Sequence, residues 1–103
     1  MLQFKSKGLL RVHYTDRKPI ISYLYENGTL YFATSRTSRK MKYFTTVSQD
    51  IELSLGIFSN EKVPAHIEIM PDNEEFFDYL KKAASLPPFI NFKKHQAVRI
   101  TLL

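Results

Sequence analysis

Apolar and polar residues follow two different rhythms along this chain. Leu9-Leu10-Arg11-Val12-His13-Tyr14 sets Leu10, Val12 and Tyr14 against Arg11 and His13, the period of two that marks a strand with one buried face. Thr15-Asp16-Arg17-Lys18-Pro19 reads as a turn, with Asp early and Pro closing it. Ile20 to Tyr25 predicts a second strand, and Leu30-Tyr31-Phe32-Ala33 a third. Between them Glu26-Asn27-Gly28-Thr29 carries the Asn-Gly pair, a strong short-range signal for a tight hairpin. Three strands joined this way predict an antiparallel meander.

The spacing then changes. From Ser38 to Val47 the apolar residues Met41, Phe44 and Val47 fall three apart, predicting a short helix with one buried edge and Tyr43 packed beside Phe44. Ser48-Gln49-Asp50 ends it. Ile51 to Phe58 alternates until Gly56, giving a fourth strand with a candidate bulge at that glycine. After the turn Ser59-Asn60-Glu61-Lys62, a fifth strand over Val63 to Met70 places Ala65, Ile67 and Ile69 opposite His66 and Glu68. Pro71-Asp72-Asn73-Glu74-Glu75 is a helix start, with an Asx cap and acids in the first turn. Phe76, Tyr79, Leu80 and Ala83 form its predicted apolar stripe, with the Phe76-Phe77 pair docking it, and Leu86-Pro87-Pro88 terminates it. Ala97 to Leu103 supplies a closing strand. The order β-β-β-α-β-β-α-β predicts a mainly β fold: a six-stranded antiparallel barrel with two short helices, as a single domain over 1–103.

The chain has 103 residues with 44% hydrophobic and 14% aromatic content, enough for one modest core. A formal net charge of +5 favours anionic partners such as phosphorylated cofactors or nucleotides. Cysteine is absent, so disulfide and thiolate chemistry are excluded. His13, His66 and His95 lack metal-ligand spacing, and no metal site is expected. The N-terminal residues lack the apolar run of a signal peptide, and no apolar segment reaches bilayer-spanning length, so a cytoplasmic location with no membrane partner is expected.

One segment concentrates chemistry. Thr34-Ser35-Arg36-Thr37-Ser38-Arg39-Lys40-Met41-Lys42 packs four hydroxyls and four cations into nine residues. With Ser38 as N-cap, Arg39 and Lys40 occupy the first helical turn, where the macrodipole disfavours cations. The second helix obeys the opposite rule, with acids first and Lys81 and Lys82 last. Free N–H groups, hydroxyls and cations at one helix start suit a bound phosphate. A solvated basic turn is the competing reading.

The order of elements, with a Ser-Arg-Lys helix start after the third strand, resembles the pyridoxamine 5′-phosphate oxidase-like FMN-binding split-barrel family. The specific part is Leu30 through Lys40, similar to the family's strand followed by Ser-Arg-Lys, and Asp16-Arg17-Lys18-Pro19 is similar to its turn before the second strand, without the usual glycine. The resemblance implies FMN as cofactor and a homodimer with the flavin sites at the interface. It implies that Ser38, Arg39 and Lys40 hold the phosphate, that Thr34 and Ser35 line the flavin, and that Ser22, Tyr23 and Leu24 face its ring. Arg36 would add a phosphate contact or lie in solvent. A flavin-dependent oxidoreductase of undetermined substrate follows, with a nicotinamide cofactor as a candidate electron donor and no catalytic residue identified. The chain has no tryptophan and ends soon after Ala97-Val98-Arg99-Ile100, so the substrate pocket of the oxidases proper is not matched and pyridoxamine phosphate oxidation is not expected.

Two alternatives stay open. One is a cofactor-free split barrel acting as a binding or regulatory module. The other is a basic barrel binding single-stranded nucleic acid through Arg36, Arg39, Lys40, Lys42 and exposed tyrosines. Against the latter, Tyr14, Tyr23, Tyr25, Tyr31, Phe32 and Phe58 are spaced as core and cross-strand residues. The acids Asp72, Glu74, Glu75 and Asp78 read as a solvated helix start, and Ser38 lacks the neighbours of a hydrolytic nucleophile.

Overall fold

A computed structural model describes residues 3–56 and 58–103. Among the described residues the order is β1 (Lys7–His13), β2 (Ile20–Glu26), β3 (Thr29–Ser35), α1 (Arg39–Thr46), β4 (Asp50–Leu55), β5 (Val63–Ile69), α2 (Glu74–Ala83) and β6 (His95–Leu102). The strands close in the order β1-β2-β3-β6-β5-β4, and β4 pairs back onto β1, with every pairing antiparallel. The expected six-stranded barrel with two helices is the observed fold.

The alternation explains the barrel. Leu10, Val12, Ile21, Tyr23, Leu30, Phe32, Ile51, Leu53, Ala65, Ile67, Val98 and Ile100 point inward and form one buried cluster. At the hairpin between β2 and β3, Asn27 and Gly28 both take positive φ, 53° and 78°, as a turn matching the strand twist requires. Met41 and Phe44 of α1 join the same cluster beside Tyr14, so α1 covers one mouth of the barrel. A second cluster lies outside, where Phe77, Leu80 and Ala84 of the α2 region pack on Leu24 and Ala97.

Several expectations change. Val47 is 70% exposed. Each helical residue turns about 100°, so a position six residues from Met41 has rotated some 120° off its face. The stripe of α2 is shifted by one: Phe77 and Leu80 are buried, Phe76 is half-buried against the Tyr31 ring, and Tyr79 is exposed and hydrogen-bonds Glu26. Adjacent phenylalanines leave the phase of a short helix ambiguous, and the buried set continues into Ala84 beyond the helix end. Gly56, with φ 69°, turns the chain away at the end of β4 rather than bulging within it, and Ile57 lies outside the described residues. Phe58 is 89% exposed, not a core residue.

Candidate functional site

The start of α1 is built from local chemistry. Ser38 is the N-cap, and its Oγ accepts from the Met41 N–H at 3.2 Å. Its N–H donates to the Ser35 carbonyl at 3.1 Å, fixing the turn that swings the chain from β3 into the helix. Thr34, the last inward-facing residue of β3, is buried and places Oγ1 3.3 Å from Ser38 Oγ. The first-turn N–H groups of Arg39 and Lys40 have no acceptor among the described residues. The first turn holds no acid.

Lys40 is half-buried, and burial lowers its pKa below the ordinary lysine value of 10.5. Among the described residues no carboxylate or carbonyl bonds its ammonium. A partly desolvated cation beside free N–H groups and two hydroxyls is suited to receive an anion. Arg39 takes another direction. It is exposed and lines a groove of about 240 Å³ with Tyr14, Arg17, Lys42 and Tyr43. Arg39 and Lys40 therefore do not converge by side chain alone.

Arg36 fits neither expected role. One guanidinium nitrogen donates to Gln96 Oε1 at 2.6 Å, and another donates to Asp72 Oδ1 at 3.1 Å and to the Phe92 carbonyl at 3.0 Å. Its planar head also lies 5.6 Å from the Phe92 ring centroid. It is a structural tie between the end of β3 and the 92–96 segment. Ser35 turns outward, and its Oγ lies 3.2 Å from Thr37 Oγ1.

The β2 residues divide by face. Tyr23 is buried inward, its ring edge-on to Phe4. Leu24 points outward but lies beneath α2 with Phe77 and Leu80. Ser22 is outward and exposed. What unites them with β3 is backbone. The β2–β3 ladder pairs Leu24 with Tyr31, Tyr25 with Leu30 and Glu26 with Thr29, and then stops. Beyond it, residues 20–23 pair only with β1 and residues 32–35 only with β6. The barrel is thus split between β2 and β3 on the side where β3 leads into α1. Strand edges there carry backbone donors and acceptors not used by a facing ladder. The structure thus offers a free β2 edge at Ile21, Ser22 and Tyr23, and hydroxyls of Thr34 and Ser38 with Lys40 at the start of α1.

The split was expected from the family resemblance, while alternation by itself does not reveal where a ladder stops. Sequence reasoning missed a second polar centre on the barrel's outer face. His13 Nε2 and Ser54 Oγ share a hydrogen bond of 2.8 Å across the β1–β4 seam, and Ser54 is wholly buried although outward-facing. Ser54 keeps the polar phase of β4 with Asp50 and Glu52, so nothing in the alternation marks it as buried.

No protein-family model matches the chain, and no curated protein sequence matches it. Solved structures do. A candidate pyridoxamine 5′-phosphate oxidase of Listeria innocua aligns over 95% of this chain and 84% of its own, with TM-score 0.65 and 13% identity. Another from Corynebacterium glutamicum aligns over 95% of this chain and 80% of its own, with TM-score 0.55 and 23% identity. At such identities the likeness shows the fold alone: this chain has the split-barrel fold of those structures.

Proposed function

We propose that this protein is a homodimeric FMN-binding split barrel, active as a flavin-dependent oxidoreductase in the cytoplasm. The observation that carries the reading is Lys40, a half-buried cation with no counter-ion among the described residues, beside the first-turn N–H groups of α1 at Arg39 and Lys40 that find no acceptor there. The Ser38 and Thr34 hydroxyls would complete the phosphate cradle, and the free edge of β2 at Ile21, Ser22 and Tyr23 would meet the ring. When bound, the flavin would supply the redox chemistry, with a nicotinamide cofactor as electron donor. The chain's own residues would hold the phosphate, orient the ring and exclude water.

The test is flavin retention, not turnover. Purified protein is loaded with FMN, freed of excess by gel filtration and titrated by flavin fluorescence, with mass measured by light scattering. A dimer retaining about one FMN per chain is expected, with affinity at least tenfold weaker in Lys40→Met. Thermal stability of that variant should not fall, because the substitution removes a partly desolvated charge. Arg39→Met should weaken binding less. Unchanged affinity in Lys40→Met would sink the phosphate assignment.

A second reading is a cofactor-free barrel serving as an interaction module. It is favoured by the packing of Tyr23 and Leu24, whose side chains are already used in the core and beneath α2. A folded dimer that retains no FMN would select it.

A further inference from the structure

On the outer face of the barrel, Arg11, His13, Lys18 and Lys62 surround a pocket of about 230 Å³, rimmed by Ser59, Asn60 and Phe58. We propose that this pocket is a second anion site, specific for a phosphate monoester or similar small dianion and separate from the α1 start.

Two segments build it. Arg11 and His13 stand on the outward face of β1, and the turn into β2 brings Lys18 over them. An Arg11 guanidinium nitrogen donates to the Lys18 carbonyl at 2.6 Å, which locks the turn against the strand. From the other side, the chain after β4 brings Asn60 and Lys62 across the seam where Arg11 pairs with Ser54 and His13 with Glu52. The ammonium groups of Lys18 and Lys62 have no partner among the described residues. Like charges held around one pocket repel, and the natural relief is a ligand of opposite sign.

His13 reports the imbalance. Its pKa lies below 6.5, first through burial and then through Lys62, with Glu52 opposing and Arg11 and Lys18 adding to the depression. Its Nε2 is committed to buried Ser54, so the ring is fixed in orientation. Among the described residues no acid lines this pocket. Acids begin in the adjoining cleft, where Asp16, Asp50 and Glu52 join His13, Lys18 and Lys62. That boundary decides the class of ligand. A nucleic-acid strand needs a continuous cationic track, and the acids interrupt it within one pocket's length. A compact dianion needs only the pocket, and the exposed ring of Phe58 at the rim suits an aromatic substituent on it.

The experiment titrates the whole protein with inorganic phosphate and with phenyl phosphate, at constant ionic strength, watching backbone amides and the histidine rings by NMR. Saturable shifts are expected at His13, Asn60 and Lys62, with phenyl phosphate the tighter ligand. Lys18→Gln with Lys62→Gln should weaken binding at least tenfold, while Lys40→Met and the distant Lys93→Gln leave it unchanged. Loss of FMN retention in Lys40→Met with these shifts intact would separate the two sites. The proposal is overturned if the shifts are linear and reproduced by chloride, if they map to Ser38 and Lys40 instead, or if the double variant binds as well as the parent. An oligonucleotide that binds more tightly with every added nucleotide would also overturn it, in favour of an extended nucleic-acid surface.

Discussion

Arg36 and Lys40 lie four residues apart in one basic run, yet their surroundings assign them opposite work. Arg36 has three acceptors and an aromatic neighbour, with its side chain only 30% exposed. Removing it would leave the Gln96 carbonyl oxygen, inside a buried residue, without its donor. Arg36→Ala should therefore cost about 1–3 kcal/mol by denaturant unfolding. Arg36→Lys should recover only part, since an ammonium cannot fork to several acceptors. A variant as stable as the parent would show that the tie contributes nothing. Lys40 has no such ties, and its loss is expected to cost binding rather than stability. The resemblance puts Lys40 on a phosphate and leaves Arg36 between a phosphate contact and solvent; neither reading anticipates the tie. Composition marks where charge is dense, but only the fold reveals which charge already has a partner.

At the scale of elements, the helix ends show where local chemistry was legible. Ser38 and Asn73 are caps as their sequence context predicts, each accepting from the N–H three residues on. At the far end of α2 the stop at Leu86-Pro87-Pro88 is legible, but the way the helix is capped is not. The Leu86 N–H reaches the Lys81 carbonyl at 2.9 Å and the Ser85 N–H the Lys82 carbonyl at 3.2 Å, closing a Schellman motif. That motif needs a left-handed residue, and Ser85 takes φ 54° where glycine is usual. Ser85→Gly should relieve this strain and raise stability by roughly 0.5 kcal/mol, the relief slightly exceeding the added chain entropy. The hydrogen bond from Lys7 Nζ to Ser85 Oγ is exposed and its loss subtracts little. A lowered melting temperature would mean that the serine is held without strain. The phase of α2 was misjudged for a related reason: its buried face is completed by Ala84, outside the helix.

For the whole molecule, the seams matter more than the strands. The pairings joined by turns, β1–β2–β3 and β4–β5, follow from chain adjacency. The closures do not, since Ser35 meets His95 and Arg11 meets Ser54 through long-range pairing that alternation leaves unspecified. The β1–β4 closure carries a titratable group, His13, bonded to Ser54 across the seam. Its pKa in the fold is below 6.5, by burial first, then by Lys62, against Glu52, and by Arg11 and Lys18. The unfolded chain therefore binds the His13 proton more readily, and stability from this group rises with pH. Its contribution is fully present above about pH 6.5, the unfolded value, and fades as the pH falls through the lower folded value. Stability compared at pH 7.5 and pH 5 should then drop more in the parent than in His13→Gln, whose amide keeps a partner for Ser54. The difference between the two proteins cancels the titration of the carboxylates they share. Parallel pH profiles would show that the seam does not feel the charge on His13. A phosphate ligand should shrink the parent's extra loss, because an anion among Arg11, Lys18 and Lys62 removes much of what opposes protonation, which ties the pH response of the closure to occupancy of the pocket above it.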